Sequence, residues 1–244
     1  MKLDKLEAMR RGGKILASIL AEIKSKTVPG MTTMQIDELA RRLCLKYHVK
    51  PSFLNYQGYP AAICVSVNDE IVHGIPGPRV IEGGDLVSLD FGVHLAGYHT
   101  DSAITFGVGN ISAEAHRLMV VTEESLMRAI NIVKPNIHVG DIGSTVQNYV
   151  EKNDFGVVRT LVGHAIGKSV HEEPFIPNFG KSGTGERLVE GQTIAIEPMV
   201  TIGTYEVAVD KDGWTYRTAD GKLSAHFEHT VYIHENGAEI LTTL

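Results

Sequence analysis

Residues 86–107 read Leu86-Val87-Ser88-Leu89-Asp90-Phe91-Gly92-Val93-His94-Leu95-Ala96-Gly97-Tyr98-His99-Thr100-Asp101-Ser102-Ala103-Ile104-Thr105-Phe106-Gly107. Asp90 closes the apolar run that starts at Leu86, and Asp101 opens the run Ser102 to Phe106. β-rich stretches over 86–94 and 98–107 predict a hairpin that turns near Leu95-Ala96. In that register Asp90 and Asp101 face each other directly, with Cβ atoms ~4.5–5.5 Å apart. Two carboxylates that close repel unless they share a proton or a cation. Taken alone, the pair also fits two solvated acids at the rim of a hairpin.

Upstream of the hairpin lie two helix patterns and a strand. Leu6, Met9, Ile15, Leu16, Ile19, Leu20 and Ile23 recur at helical spacing, and Val28-Pro29-Gly30 breaks the run. Thr32 and Gln35 have capping-box spacing ahead of Ile36, Leu39, Ala40 and Leu43. Residues 63–67 read as a strand. The order then recurs. Ser112 is placed to cap a helix carrying Leu118, Val121, Leu126 and Ile130 and stopped by Pro135. Asp141 is placed to cap another with Ile142, Val146 and Val150. Strands are expected around 157–162, 193–196, 200–209 and 230–233.

Positions match across this recurrence. Pro29 to Pro135 and Ile36 to Ile142 keep one offset, and Gly84-x5-Asp90 is echoed by Gly191-x5-Glu197. Eleven positions separate Asp90 from Asp101, but thirty-one separate Glu197 from Glu228. This period is far too long for a solenoid. It predicts one α+β domain over 1–244, made by internal duplication of halves at roughly 1–110 and 111–244.

The four acids share an unusual setting. Glu197 ends the run Thr193 to Ile196, and Glu228 precedes His229-Thr230-Val231-Tyr232-Ile233. No Lys or Arg lies between Arg79 and Arg117, between Arg187 and Lys211, or after Lys222. A buried unpaired carboxylate protonates or finds a partner. Distant cations can fold in; the sharper alternative is that metal ions supply the positive charge.

Composition bounds the rest. The chain has 244 residues, 43% apolar and 21% charged, which suits a folded protein with a substantial core. It carries 23 Lys+Arg against 29 Asp+Glu, a formal charge of -6. With a pI near 6.0, that argues against broad nucleic-acid binding. Two cysteines, Cys44 and Cys64, without CxxC spacing point to a reduced compartment. No run reaches the ~20 apolar residues of a membrane span, and the N-terminus lacks a signal-peptide core. The expectation is a cytoplasmic protein without membrane or nucleic-acid partners.

Eleven histidines are present. His164 sits between Gly163 and Gly167, His171 precedes Glu172-Glu173-Pro174, and His73 lies in Val72-His73-Gly74. Singly, each reads as a loop residue. Together they supply a nitrogen ligand and two neutral donors or acids. Carboxylate-rich sites with one imidazole suit divalent Mn, Fe, Co or Zn. His94, His99, His226 and His229 lie near the acids, but His229 should point away from Glu228 in a strand.

Asp90 and Asp101 eleven positions apart, then His164, Glu197-Pro198-Met199 and Glu228-His229-Thr230, resemble the type I methionine aminopeptidases of the pita-bread fold. The likeness extends over nearly the whole chain, through Pro51-Ser52-Phe53, Gly58-Tyr59-Pro60, Cys64 to Asn68, Val72 to Pro76, His171 to Pro174 and Lys211 to Thr215. It implies an α+β fold of two pseudo-symmetric halves of antiparallel sheet covered by helices. It also implies a monomeric metal-dependent exopeptidase that hydrolyses the initiator Met from nascent or new polypeptides, with the ribosome as a transient partner.

By the same resemblance, Asp90, Asp101, His164, Glu197 and Glu228 hold two divalent cations (Co, Mn, Fe or Zn). Asp101 and Glu228 bridge them, His164 and Glu197 complete one, and Asp90 completes the other. Glu197 moves a proton to the leaving amine, His171 steadies the oxyanion, and His73 bonds the substrate backbone or leaving nitrogen. Tyr56, Tyr59, Cys64, Val170 and Trp214 line the methionine pocket. Cys64, in a β run without an adjacent base, reads as a pocket residue and not a nucleophile. Ala165 and Thr100 stand where the family commonly has Gly, and Val170 is small for its position.

Three other classes fit the pattern less well. Proline-specific peptidases of the same fold carry an extra N-terminal domain for which this chain has no room. A metal-free peptide-binding module would have lost ligand positions, yet all five are present. A dinuclear phosphoesterase would need a phosphate cradle, and nothing resembles one.

Overall fold

The computed structural model describes residues 3–244. Helix α1, Lys5–Lys26, starts at Asp4, whose side chain accepts from Glu7 N. Helix α2, Thr33–Tyr47, has the reciprocal Thr32–Gln35 capping box expected from the sequence. Helix α3, Ala113–Asn131, is capped by Ser112. It ends four residues before Pro135, so the proline follows the stop and does not make it. Helix α4, Val139–Lys152, begins at His138. Asp141 is not its cap, as the sequence suggested. It sits in the first turn and reaches back to His138 N at 2.8 Å.

Among the described residues, four antiparallel sheets carry the rest. In the first, strand Leu86–Leu95 pairs with Tyr98–Gly107 along its whole length, with Cys64–Val67 and with Lys50–Pro51. Alternation sends Val87, Leu89, Phe91 and Val93 into a core with Leu16, Ile19 and Ile23 of α1 and Ile36 and Leu43 of α2. Each fully buried side chain of this size contributes ~1.5–3 kcal/mol. In the second, Thr193–Ile196 lies between His229–His234 and Gly163–Ala165. Ile194, Ile196, Val231 and Ile233 pack with Leu118 and Leu126 of α3 and Ile142 and Val146 of α4. Each half is thus a helix pair over an antiparallel sheet.

The strand expected over 157–162 is only Gly156–Val157, and the one expected over 200–209 is two strands, Met199–Thr201 and Val207–Val209. The long Glu197–Glu228 interval builds a hairpin, Val207–Val209 with Tyr216–Thr218, that crosses to pair with Glu70–Val72 of the first half. α1 also ties the halves. A Cβ on Gly13 would sit 2.1 Å from Leu241 O, so only glycine permits that approach. Arg10 pairs with Glu239 at 2.7 Å nearby.

Candidate metal centre

Asp90 and Asp101 are buried on one face of the first sheet. Asp90 pairs with Ala103 and Asp101 with Gly92, so the two acids are diagonal neighbours and not directly opposed as expected. The turn is the cause. Ala96 and Gly97, at φ 53° and 90°, form a two-residue connection, and Leu95 pairs with Tyr98. A turn one position later moves every partner by two. Side-chain parity survives, which keeps both carboxylates on the same face.

The second pair meets them through bonds between sheets. Glu197 directly follows Thr193–Ile196, and Glu228 directly precedes His229–His234. Ala103 and Glu228 exchange both backbone hydrogen bonds, at 3.4 and 2.9 Å. Thr230 Oγ1 donates to Asp101 O at 2.8 Å and accepts from Asp101 N at 2.9 Å. Asp101, His164 and Glu228 each offer a ligand atom, all within 4.8 Å of one another. His164 Nδ1 lies 3.0 Å from Ala165 O and donates to it, which leaves the Nε2 lone pair free. That Nε2 faces Glu197 Oε1 at 3.5 Å.

The electrostatics are those of a site short of positive charge. Burial first, then the charges of Asp101 and Glu197, holds the Asp90 carboxyl well above the usual carboxylate range. Burial raises Asp101 to about 7. Burial, then Asp101, also pushes Glu197 and Glu228 well up. Burial lowers His164 to about 3, so its ring is neutral. Among the described residues no Lys or Arg pairs with these four acids, and the ionisable partners of Glu197 are His164 and His226. Asp90 Oδ1 and Glu228 Oε1 are buried without any hydrogen-bond partner. Hard oxygen donors with one bare imidazole nitrogen fit a divalent cation, which would satisfy the orphaned oxygens.

A cavity of about 120 Å³ adjoins the acids. Its wall includes the four acids, His164, His73, His171, Tyr56, Tyr59, Cys64 and Trp214. Phe53 and Gln57 also line it, unforeseen, although Phe53 sits in a stretch carrying the family likeness. Val170 is buried and packs with Tyr59, Cys64 and Phe53, without lining the cavity. Trp214 stands at the turn of the crossing hairpin, where Asp212 accepts from Trp214 N and Thr215 N at 2.8 and 2.9 Å. Its ring meets Tyr59 edge-on at 5.3 Å.

Cys64 pairs with Asp90 across the sheet. Burial, then the Asp90 charge, raises its thiol far above the usual range, so it stays protonated and is no nucleophile. His171 Nδ1 lies 3.0 Å from the Tyr56 hydroxyl, and its ring is 4.3 Å from that of His164. His73 adopts a left-handed backbone, φ 59°, uncommon outside glycine. Burial lowers it to about 4. His229 bonds Thr242 Oγ1 at 2.9 Å, as a residue facing away from Glu228 should. His94 and His99 stack at 4.4 Å beside the turn and do not line the cavity. Thr100 faces α1, where a Cβ on Gly12 would lie 3.3 Å from its Oγ1. Ala165 supplies the carbonyl that orients His164. Among the described residues, no helix is long and apolar enough to cross a membrane.

Comparison with known proteins agrees with this chemistry. Residues 7–235 match the metallopeptidase family M24. A methionine aminopeptidase of Clostridium perfringens is 49% identical over 99% of this chain and 97% of its own length. Methionine aminopeptidase 1 of Bacillus subtilis is 47% identical over 97% of this chain and 96% of its own. The crystal structure of a methionine aminopeptidase from Thermotoga maritima superposes with a TM-score of 0.97 at 46% identity, covering 98% of this chain and 97% of that one. This chain therefore belongs to metallopeptidase family M24 and has its α+β pita-bread fold.

Proposed function

We propose that this protein is a methionyl aminopeptidase that hydrolyses the first peptide bond of chains beginning with Met. The observation that carries the reading is the bare His164 Nε2 facing Glu197 Oε1 at 3.5 Å, beside two orphaned carboxylate oxygens and an aromatic, sulfur-lined cavity. Two electron-rich atoms that close need a proton or a cation between them. Asp90, Asp101, His164, Glu197 and Glu228 would hold two divalent cations, of Co, Mn, Fe or Zn. Asp101 and Glu228 would serve both, His164 and Glu197 would serve one, and Asp90 would serve the other. Bound there, such cations supply Lewis acidity toward the scissile carbonyl and lower the pKa of water.

The chain's own groups do the rest. Glu197, whose burial raises its proton affinity, takes a proton from water and passes it to the leaving amine. The Tyr56 hydroxyl lies 3.0 Å from His171 Nδ1; with that hydroxyl as donor, the ring proton sits on Nε2, placed to bond the substrate carbonyl oxygen as charge develops. His73 bonds the substrate backbone or leaving nitrogen. Tyr56, Tyr59, Cys64, Trp214 and Phe53 surround the thioether, which favours contact with aromatic rings and sulfur.

We read the helix-pair-and-sheet halves, 1–110 and 111–244, as products of duplication within one domain. The working context we infer is a cytoplasmic monomer acting on new chains as they leave the ribosome.

The test is release of Met from a Met-X peptide series with Mn or Co, with X varied in size. Activity that needs added metal, stops with chelator and falls as X grows supports the proposal. Metal-independent binding without cleavage would favour a peptide-binding module. Indifference to X would remove the role in N-terminal processing.

A further inference from the structure

We propose that His226 is a positioning residue for Glu197. Its Nε2–H holds Glu197 Oε2, so that Oε1 stays turned toward His164. The inference rests on the metallopeptidase reading of Glu197 given above.

His226 closes strand Ser224–His226 and is 1% exposed. Its backbone is fixed on both sides, since its N–H donates to Thr105 Oγ1 at 2.9 Å and its carbonyl accepts from the same hydroxyl at 2.8 Å. Yet Nδ1 and Nε2 of the ring have no hydrogen-bond partner. Leaving buried polar nitrogens without a protein partner is costly, so such a pair calls for a reason. The acceptor that Nε2 faces is Glu197 Oε2, at 3.9 Å. Closing that gap to a hydrogen bond takes a modest rotation of the terminal Glu197 torsion, which has a broad minimum.

The two imidazoles around Glu197 then carry opposite tautomers. His164 gives its proton to Ala165 O from Nδ1 and presents a bare Nε2 to Oε1. His226 faces the other oxygen, where only an Nε2–H is attractive. One ring leaves room for a cation beside Oε1, and the other holds Oε2 without competing for it. Glu197 needs this anchor. It lies just past the end of strand Thr193–Ile196, and Asn178 Nδ2 bonds its carbonyl, at 3.0 Å, and not its carboxylate.

The experiment uses the full chain with Mn(II) as probe. Outer partners of metal-binding side chains are commonly worth ~10–100-fold in metal affinity or activity. His226→Leu, similar in bulk but unable to donate, should weaken calorimetric Mn(II) affinity by about that factor and lower kcat with little change in KM. The melting temperature of the metal-free protein should stay near wild type. His226→Gln, whose amide donates, should recover most of the loss. Mn(II) affinity at wild-type strength in folded His226→Leu would overturn the proposal. Should that variant not fold, 15N spectra of histidine-labelled wild type decide the matter. The His226 proton belongs on Nε2, and finding it on Nδ1 overturns the proposal equally. Unchanged Mn(II) affinity in Glu197→Ala instead removes the reading beneath it, whatever His226 does.

Discussion

The two halves deliver two acids each to the same cavity, by different means. In the first half everything is local. A two-residue turn at Ala96-Gly97 folds one strand onto the next, and parity alone puts Asp90 and Asp101 on one face. In the second half the interval between Glu197 and Glu228 leaves its own sheet, builds the hairpin Val207–Val209 with Tyr216–Thr218, and fastens to Glu70–Val72. The first hairpin supplies charge alone. The second interval supplies charge and also brings Trp214 to the cavity wall beside Tyr59. On the proposed reading, the two halves divide the tasks: the matched acids would hold cations, and the inserted hairpin would shape part of the space beside them.

If the acids are equivalent across the halves, removing one from either should do equal harm. Asp101→Asn and Glu228→Gln are each expected to cost at least about a hundredfold in Met release, exceeding what outer partners of a metal site commonly contribute. Both should also lower the metal content measured by elemental analysis. Asp101→Asn with wild-type metal content and activity would break the comparison at its centre.

The next effect is on stability. Asp101 is raised to about 7 by burial, against a carboxylate value near 3.8 when unfolded. The metal-free native state therefore holds this proton more tightly than the unfolded chain. Stability from this source is full below about pH 4 and is lost as pH rises through about 7. Asp90, Glu197 and Glu228 shift in the same direction. A bound cation balances the charges and binds the deprotonated acids, so its benefit grows over the same window. The unfolding free energy lost on adding chelator should widen from pH 5 to pH 8 by on the order of a few kcal/mol, read as a drop in melting temperature that grows over the same range. A drop that is flat or shrinks with pH would show that the carboxylates do not share this buried, cation-dependent site.

What was legible in the sequence follows the same division between local and distant. Asp90, Asp101, Glu197 and Glu228 stood out because apolar β runs bracket them and no Lys or Arg lies close along the chain. The helix pairs were legible from periodicity, and Thr32 and Ser112 from their caps. The register of the first hairpin was off by two because Ala96-Gly97, not Leu95-Ala96, occupies the positive-φ turn. Asp141 looked like a cap because its carboxylate does bond the start of the helix, at His138 N, but from inside the first turn. The crossing of residues 207–218 onto Glu70–Val72 could not be read, since no local pattern says which distant edge a short strand joins. His226 was visible only as a histidine near an acid. Its burial and its idle nitrogens are tertiary facts.

The smallest effect separates the two delivery routes most cleanly. Trp214 touches the cavity through its ring, edge-on to Tyr59 at 5.3 Å and to His73 at 6.4 Å, and its ring makes no hydrogen bond to Asp90, Asp101, Glu197 or Glu228. Its backbone is fixed by Asp212 independently of the ring, so Trp214→Leu should leave the hairpin turn intact. Aromatic pairs of this kind are worth ~0.5–1.5 kcal/mol beyond their burial. Trp214→Leu should therefore raise KM for a Met peptide by about tenfold, while calorimetric Mn(II) affinity stays at the wild-type value. Asp101→Asn should move both quantities. Should Trp214→Leu weaken metal binding as much as peptide binding, the insertion would be part of the cation site, and the division of tasks between the halves would fail.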